Sequence, residues 1–143
     1  MLKRFIGLLF VIAILSITTG CANRATAKLT PGSDLSNIKS FYIVQSPEDL
    51  DTCGLIKANL EKRGFTATIG SDNKPAYKPD AVVTYVAKWM WDITMYMLEL
   101  TINVRDPASD FPMAVGNSLH ASLTRKSPEE MVDEVLTNIF SAK

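Results

Sequence analysis

Apolar and polar positions change their spacing along this chain, and each change marks an element. Residues 5–17, FIGLLFVIAILSI, are an almost unbroken apolar run behind Lys3-Arg4. From Ala22 to Lys39, ANRATAKLTPGSDLSNIK, neither a two-residue nor a 3.6-residue period survives, and Pro31-Gly32 is a turn signal. Periodicity starts at Phe41-Tyr42-Ile43-Val44, a β-branched and aromatic run that predicts a buried strand. Ser46-Pro47-Glu48-Asp49 then reads as a cap serine, a first-turn proline and first-turn acids. Leu50, Cys53, Ile56 and Leu60 recur at helical spacing before Lys62-Arg63-Gly64 closes the helix.

A second strand is predicted at 65–69 and a polar loop at 71–79. Two long strands follow, at 81–92 and 93–106. In the latter, Tyr96, Leu98, Leu100, Ile102 and Val104 alternate with Glu99, Thr101, Asn103 and Arg105, the pattern of a half-buried antiparallel strand. After a turn at 106–110, a further strand at 113–123 sets Leu119, Ala121 and Leu123 opposite Ser118, His120 and Ser122. Ser127-Pro128-Glu129-Glu130 is a capping box for a last helix whose stripe is Met131, Val132, Val135, Leu136, Ile139 and Phe140. The order β-α-β-β-β-β-α predicts an α+β two-layer sandwich: about five mainly antiparallel strands with both helices on one face. The βαβ start allows the first two strands to be parallel.

Composition narrows the function classes. The 143 residues carry 15 Lys and Arg against 15 Asp and Glu, so the basic footprint of a nucleic-acid binder is missing. At 47% hydrophobic, the chain is too apolar for intrinsic disorder. Two cysteines cannot build a disulfide framework.

The N-terminus has the plan of an export signal: a basic start, the apolar run, then small residues. As a helix the run would measure roughly 20 Å, against ~30 Å for a bilayer core, which makes a permanent span the weaker reading. Thr19-Gly20-Cys21-Ala22 resembles the lipobox of bacterial lipoproteins, although Thr18 stands where Leu is most usual. That resemblance implies a signal peptide at 1–20, cleaved before Cys21, with acyl chains carried on the Cys21 thiol and on its new amine. Ala22, not Asp, then implies the periplasmic face of an outer membrane in a Gram-negative host. The residues alone also fit an ordinary export signal cleaved nearby. On the lipoprotein reading, 21–39 is a lipidated mobile tether and 40–143 a single domain. Loss of Lys3 and Arg4 leaves the mature chain slightly acidic. The layout is similar to small exported lipoproteins of uncharacterised function and, at fold level, to the lipoprotein of the lipopolysaccharide-assembly translocon.

No catalytic set is legible. The only histidine, His120, reads as a solvated strand residue, and Ser118 and Ser122 beside it make no motif. One histidine and one remaining cysteine cannot form a recognisable transition-metal site, and no glycine-rich phosphate loop is present. No cofactor is expected. Cys53, on an apolar helix stripe, reads as a packed thiol. The acids are dispersed: Asp49 and Asp51, and Glu129, Glu130, Asp133 and Glu134, belong to the starts of the two helices, and Asp92 to a hairpin turn.

The unusual stretch is 89–97, WMWDITMYM, which holds both tryptophans and three of the six methionines. Alternation places Trp89 and Trp91 on the face of Tyr85 and Ala87. It places Met95 and Met97 on the face opposite Leu98 and Leu100. One of these sets is then hard to bury, and Trp89, Trp91, Met95 and Met97 become a candidate patch for a membrane-associated partner or an acyl chain. The competing reading is that oligomerisation, the tether or a register slip at a bulge buries them all. The expected function is a membrane-anchored, non-enzymatic binding or assembly accessory of the envelope. The alternatives are a structural or stress-related envelope component and, more remotely, a lipoprotein-borne hydrolase.

Overall fold

The computed structural model describes residues 23–71 and 75–143. The export signal expected at 1–20 and the lipid attachment expected at Cys21 lie outside the described residues. The described residues form six strands and two helices: β1 (Arg24–Leu29), β2 (Ser40–Val44), α1 (Leu50–Lys62), β3 (Thr66–Gly70), β4 (Ala81–Asp92), β5 (Thr94–Arg105), β6 (Pro112–Leu119) and α2 (Pro128–Ser141). A single 3₁₀ turn at Ser122–Thr124 precedes α2. The strands form one sheet in the order β1-β6-β5-β4-β2-β3. β2 runs parallel to both β3 and β4, and the other pairs are antiparallel. The fold is therefore α+β with a mixed sheet of six strands, one more than the five expected.

The sixth strand comes from the segment assigned to a tether. In β1, Ala27 faces Gly116 and Leu29 faces Ala114 across an antiparallel ladder to β6, and both pack against the core. The following loop is also held: Leu35 packs on the core and Ile38 is buried. Asp80 then accepts hydrogen bonds from the Lys39 and Ser40 amides and from the Ser40 hydroxyl. Ladder bonds stabilise an edge strand whose own side chains are small and polar, so RATAKL shows almost no apolar period.

The core lies between the sheet and the helices. Phe41 and Ile43, Ala81, Val83 and Tyr85, and Leu100, Ile102 and Val104 meet Cys53, Ile56 and Leu60 of α1 and the stripe of α2. Helix α2 keeps its predicted cap, with Ser127 and Glu130 each accepting the other's backbone amide. Helix α1 starts later than predicted. Its cap is Asp49, not Ser46, because the Asp49 carboxylate accepts from both the amide and the hydroxyl of Thr52. Gly64 follows the helix at φ +92°, the left-handed conformation expected of a closing glycine. Arg63 ties the two helices together, donating to Asp133 and Thr137 and lying over the Phe140 ring.

The face of β6 differs from the sequence pattern. Ala114, Gly116 and Ser118 turn inward, beneath α2. A Cβ at Gly116 would come within 2.8 Å of both Val135 and Ile139, so helix and strand approach because the inward residues are small. Of the large apolar residues of this segment, Val115 is exposed and Leu123 lies beyond the strand, while Met113 is half-buried against the core. On the open face of the sheet, Glu99 accepts from Arg24, Lys88 and Asn117, joining β1, β6, β5 and β4 side by side.

Candidate functional site

β2 pairs with β4 only as far as Val83, and β6 pairs with β5 only from Glu99 onward. Beyond those points β4 and β5 continue as a two-stranded arm to a tight turn at Ile93, whose φ is +61°. The ladder slips one register between Lys88 and Trp89: Lys88 faces Glu99, but Trp89 faces Met97. Leu98 is the extra residue of this bulge.

The slip decides which side chains share a face. Trp89 stands opposite Met97 and Trp91 opposite Met95, all on the side that carries the helices. Alternation without a bulge put the two methionines on the opposite face. Their fates also diverge, because the helices cover only the base of the arm. Met97 is 0% exposed and belongs to the core, so it leaves the candidate patch. Met95 is 56% exposed, Trp91 70% and Trp89 39%. Tyr96, expected on the face of Leu98 and Leu100, turns to the other side and lies under the Arg125 guanidinium, 5.3 Å from its ring centre.

Two exposed residues at this end had no clear signal in the sequence. Ile93 at the turn is 85% exposed and Leu123 is 93% exposed. Leu123 was expected to alternate in a strand. That strand ends at Leu119, and the 3₁₀ turn holding Leu123 presents it to solvent.

The surroundings hold the arm in place. The Trp89 indole donates to the Asp49 carboxylate at 3.2 Å. The Tyr85 hydroxyl donates to the Asp49 carbonyl at 2.5 Å; burial, followed by the proximity of Cys53 and Asp49, pushes it up to about 12. Arg125 donates to Thr94 at 2.8 Å, and Ser122 donates to Asp92 at the turn. The hydroxyl of Thr124 donates to the Asn23 side chain at 2.5 Å. Trp89, Met95, Tyr96, Met97, Arg125 and Pro128 border a shallow hollow of about 320 Å³.

His120 is not solvated, contrary to expectation. It is 6% exposed, and Ser118 is fully buried. Both meet Glu134 of α2: the His120 Nε2 lies 2.8 Å from its carboxylate, and the Ser118 hydroxyl donates at 2.5 Å. Lys126 donates to the other oxygen at 2.5 Å. Burial raises the Glu134 pKa, but the bonds from Lys126, Ser118 and His120 outweigh it and hold the carboxyl down at about 2. The Ser118 hydroxyl donates its hydrogen bond to Glu134 and not to His120, so the three are not arranged as nucleophile, base and orienting acid. Ser122 lies apart from them, at the hairpin turn. Among the described residues, no three His, Cys, Asp or Glu side chains converge as metal ligands. Among them also, no helix is long and apolar enough to cross a membrane.

No protein-family model and no curated protein matches the chain. Solved structures do. The PelC dodecamer from Paraburkholderia phytofirmans aligns over 80% of this chain and 98% of its own, with a TM-score of 0.59 at 13% identity. A variant of that dodecamer gives a TM-score of 0.58 at 13% identity, over 80% of this chain and 96% of its own. A PDZ domain protein from Parabacteroides distasonis aligns over 76% of this chain and 32% of its own, with a TM-score of 0.50 at 14% identity. At these identities the likeness is one of fold: the chain is similar to the PelC protomer over nearly that protomer's whole length.

Proposed function

We propose that this protein is a lipid-anchored lipoprotein of the bacterial envelope, held through Cys21 on the periplasmic face of the outer membrane. In this reading it is a non-enzymatic binding or assembly accessory. The observation that carries the reading is the hairpin arm. Trp91, Ile93 and Met95 stand exposed at its end, although a bulge and several hydrogen bonds position that end closely. Isolated exposed apolar residues are ordinary, but a cluster on a positioned element suits a contact surface. The lipobox-like Thr19-Gly20-Cys21-Ala22 supports the anchor.

Radiolabelled palmitate tests the anchor. In a Gram-negative host the full chain should take up label and fractionate with the outer membrane, and Cys21→Ala should abolish both. Label that persists on the Cys21→Ala chain overturns the anchor. For the binding role, Trp91→Ala and Met95→Ala should leave the protein folded and abundant while releasing whatever contact the arm makes in the membrane. Unchanged crosslinking from the arm overturns that role.

The fold favours one more specific form of the assembly role. PelC, similar in fold, is a dodecamer, and self-association of this chain would follow the same use of the fold. The mass of the detergent-solubilised full chain tests it: a monomer at all concentrations overturns it.

A further inference from the structure

The described chain starts where the hairpin ends. Asn23 accepts a hydrogen bond from Thr124. Thr124 follows Leu123 in the 3₁₀ turn, and Ser122 of that turn donates to Asp92, next to the hairpin tip. Cys21 precedes Asn23 by two residues, a reach of at most ~7 Å even for extended chain. Acyl chains on Cys21 therefore enter the bilayer close to Ile93 and Leu123, which are 85% and 93% exposed, and to Trp91 beside them.

We infer that this end of the molecule is a lipid-surface site: the hairpin tip and the Leu123 turn enter the interface of the same membrane that holds Cys21. The inference rests on the anchor reading above and adds a second, side-chain contact to it. The chemistry suits the boundary between headgroups and acyl chains. Tryptophan places an apolar ring and an N–H donor at that depth, while isoleucine, leucine and methionine contribute apolar area. The two strands of the arm satisfy the backbone groups that face each other up to the turn, and the outward-facing groups of each strand are left to water at the headgroup level, the depth to which the tip enters. Asp92, the carboxylate at the tip, is bonded to Ser122. Arg125, across the base of the tip on Thr94, is placed for lipid phosphates. A partner protein or a second copy could use the same side chains, but the short reach from Cys21 turns them toward the bilayer.

The test uses the full lipidated chain, reconstituted in vesicles of phosphatidylethanolamine and phosphatidylglycerol, some carrying brominated acyl chains that quench tryptophan on contact. Trp89→Phe leaves Trp91 as the single reporter. Trp91 emission should shift to the blue and fall by about half or more, with bromines near the headgroup more effective than bromines at the chain end. A chain whose mass shows lipid on Cys21 and which floats with the vesicles, yet whose Trp91 is not quenched, overturns the tip contact and leaves the anchor standing. A chain without lipid on Cys21 overturns the anchor and the tip contact together. A photoreactive residue in place of Trp91, activated in native membranes, provides a second readout that does not depend on Trp89→Phe. Adducts with phospholipid support the inference, and adducts with a second copy or another protein in place of lipid overturn it.

Discussion

Trp89 donates a hydrogen bond from its indole nitrogen to the Asp49 carboxylate, 3.2 Å away, and so ties the base of the hairpin arm to the cap of α1. Asp49 serves two elements at once, because the same carboxylate accepts from the Thr52 amide and hydroxyl. The side chain that starts the helix also sets where the arm leaves the body.

Replacing that carboxylate should loosen both. Burial raises the Asp49 pKa, but the bonds from Thr52 and Trp89 outweigh it and leave the carboxyl below its usual value. Asp49→Ala should cost about 1 kcal/mol as a lost cap. Asp49→Asn should recover most of this, since asparagine also caps well. Urea unfolding midpoints of the two variants check the difference, and equal losses would count against the capping role.

Met95 and Met97 should behave as opposites although only one residue separates them. Met97 is fully buried, so Met97→Ala should cost about 2–5 kcal/mol through the cavity it leaves. Met95 is exposed, and Met95→Ala should change stability by no more than about 0.5 kcal/mol. Paired thermal or urea unfolding separates a bulged ladder from a regular one, in which neighbouring faces would exchange.

Gly116 is a contact point between β6 and α2. With a Cβ only 2.8 Å from Val135 and Ile139, Gly116→Ala should destabilise by about 1–3 kcal/mol from overpacking. Trimming the helix with Ile139→Val in the same chain should restore part of the loss, a coupling readable in a double-mutant cycle.

Glu134 should dominate the acid limb of stability. Its folded carboxyl titrates at about 2 against an ordinary 4.5. A lowered folded pKa means the ionised form is the one stabilised, so this contribution is complete above about 4.5 and is lost as pH falls toward about 2. Glu134→Gln should flatten the stability profile across that window. Glu134→Ala, which leaves the buried Ser118 hydroxyl only the weak Met131 sulfur as acceptor and takes the carboxylate from the His120 ring, should cost about 1–3 kcal/mol at neutral pH. Unfolding free energies measured from pH 2 to pH 7 decide the matter.

Amide exchange offers a direct check on residues 24–29. In a tether these amides would exchange at the rate of free chain. Those that donate to β6 should instead be protected, though less than those of the central β5.

Elements with local causes were legible in the chain. The start of α2 follows from Ser127 and Glu130, which satisfy each other's backbone within one turn, and its buried face follows from a stripe at helical spacing. The long alternation of β5 was likewise visible from Leu100 to Val104, where one face meets the core throughout. β1 was not, because an edge strand of small and polar residues takes its stability from a ladder partner some 90 residues away.

The candidate site divides along the same line. The concentration of tryptophan and methionine between positions 89 and 97 marked the arm, and Trp91 and Met95 are indeed exposed. The inclusion of Met97, the omission of Ile93 and Leu123, and the solvated reading of His120 were errors of register and face. A one-residue slip moves side chains across a sheet, and nothing in a two-residue period announces where the slip occurs.

By itself, then, the sequence determined the α+β class, the capping of α2, the apolar stripes of both helices and the stretch that carries the exposed arm. Those features depend on residues within a turn or two of one another. Only the tertiary structure decided that 24–29 completes the sheet and that small residues turn β6 inward beneath α2. The same holds for Met97, drawn into the core by the bulge, and for Asn23, bonded beside the hairpin tip. Each of these is fixed by partners far along the chain, through ladder bonds, close packing or a side-chain hydrogen bond, and local spacing carries no record of such partners.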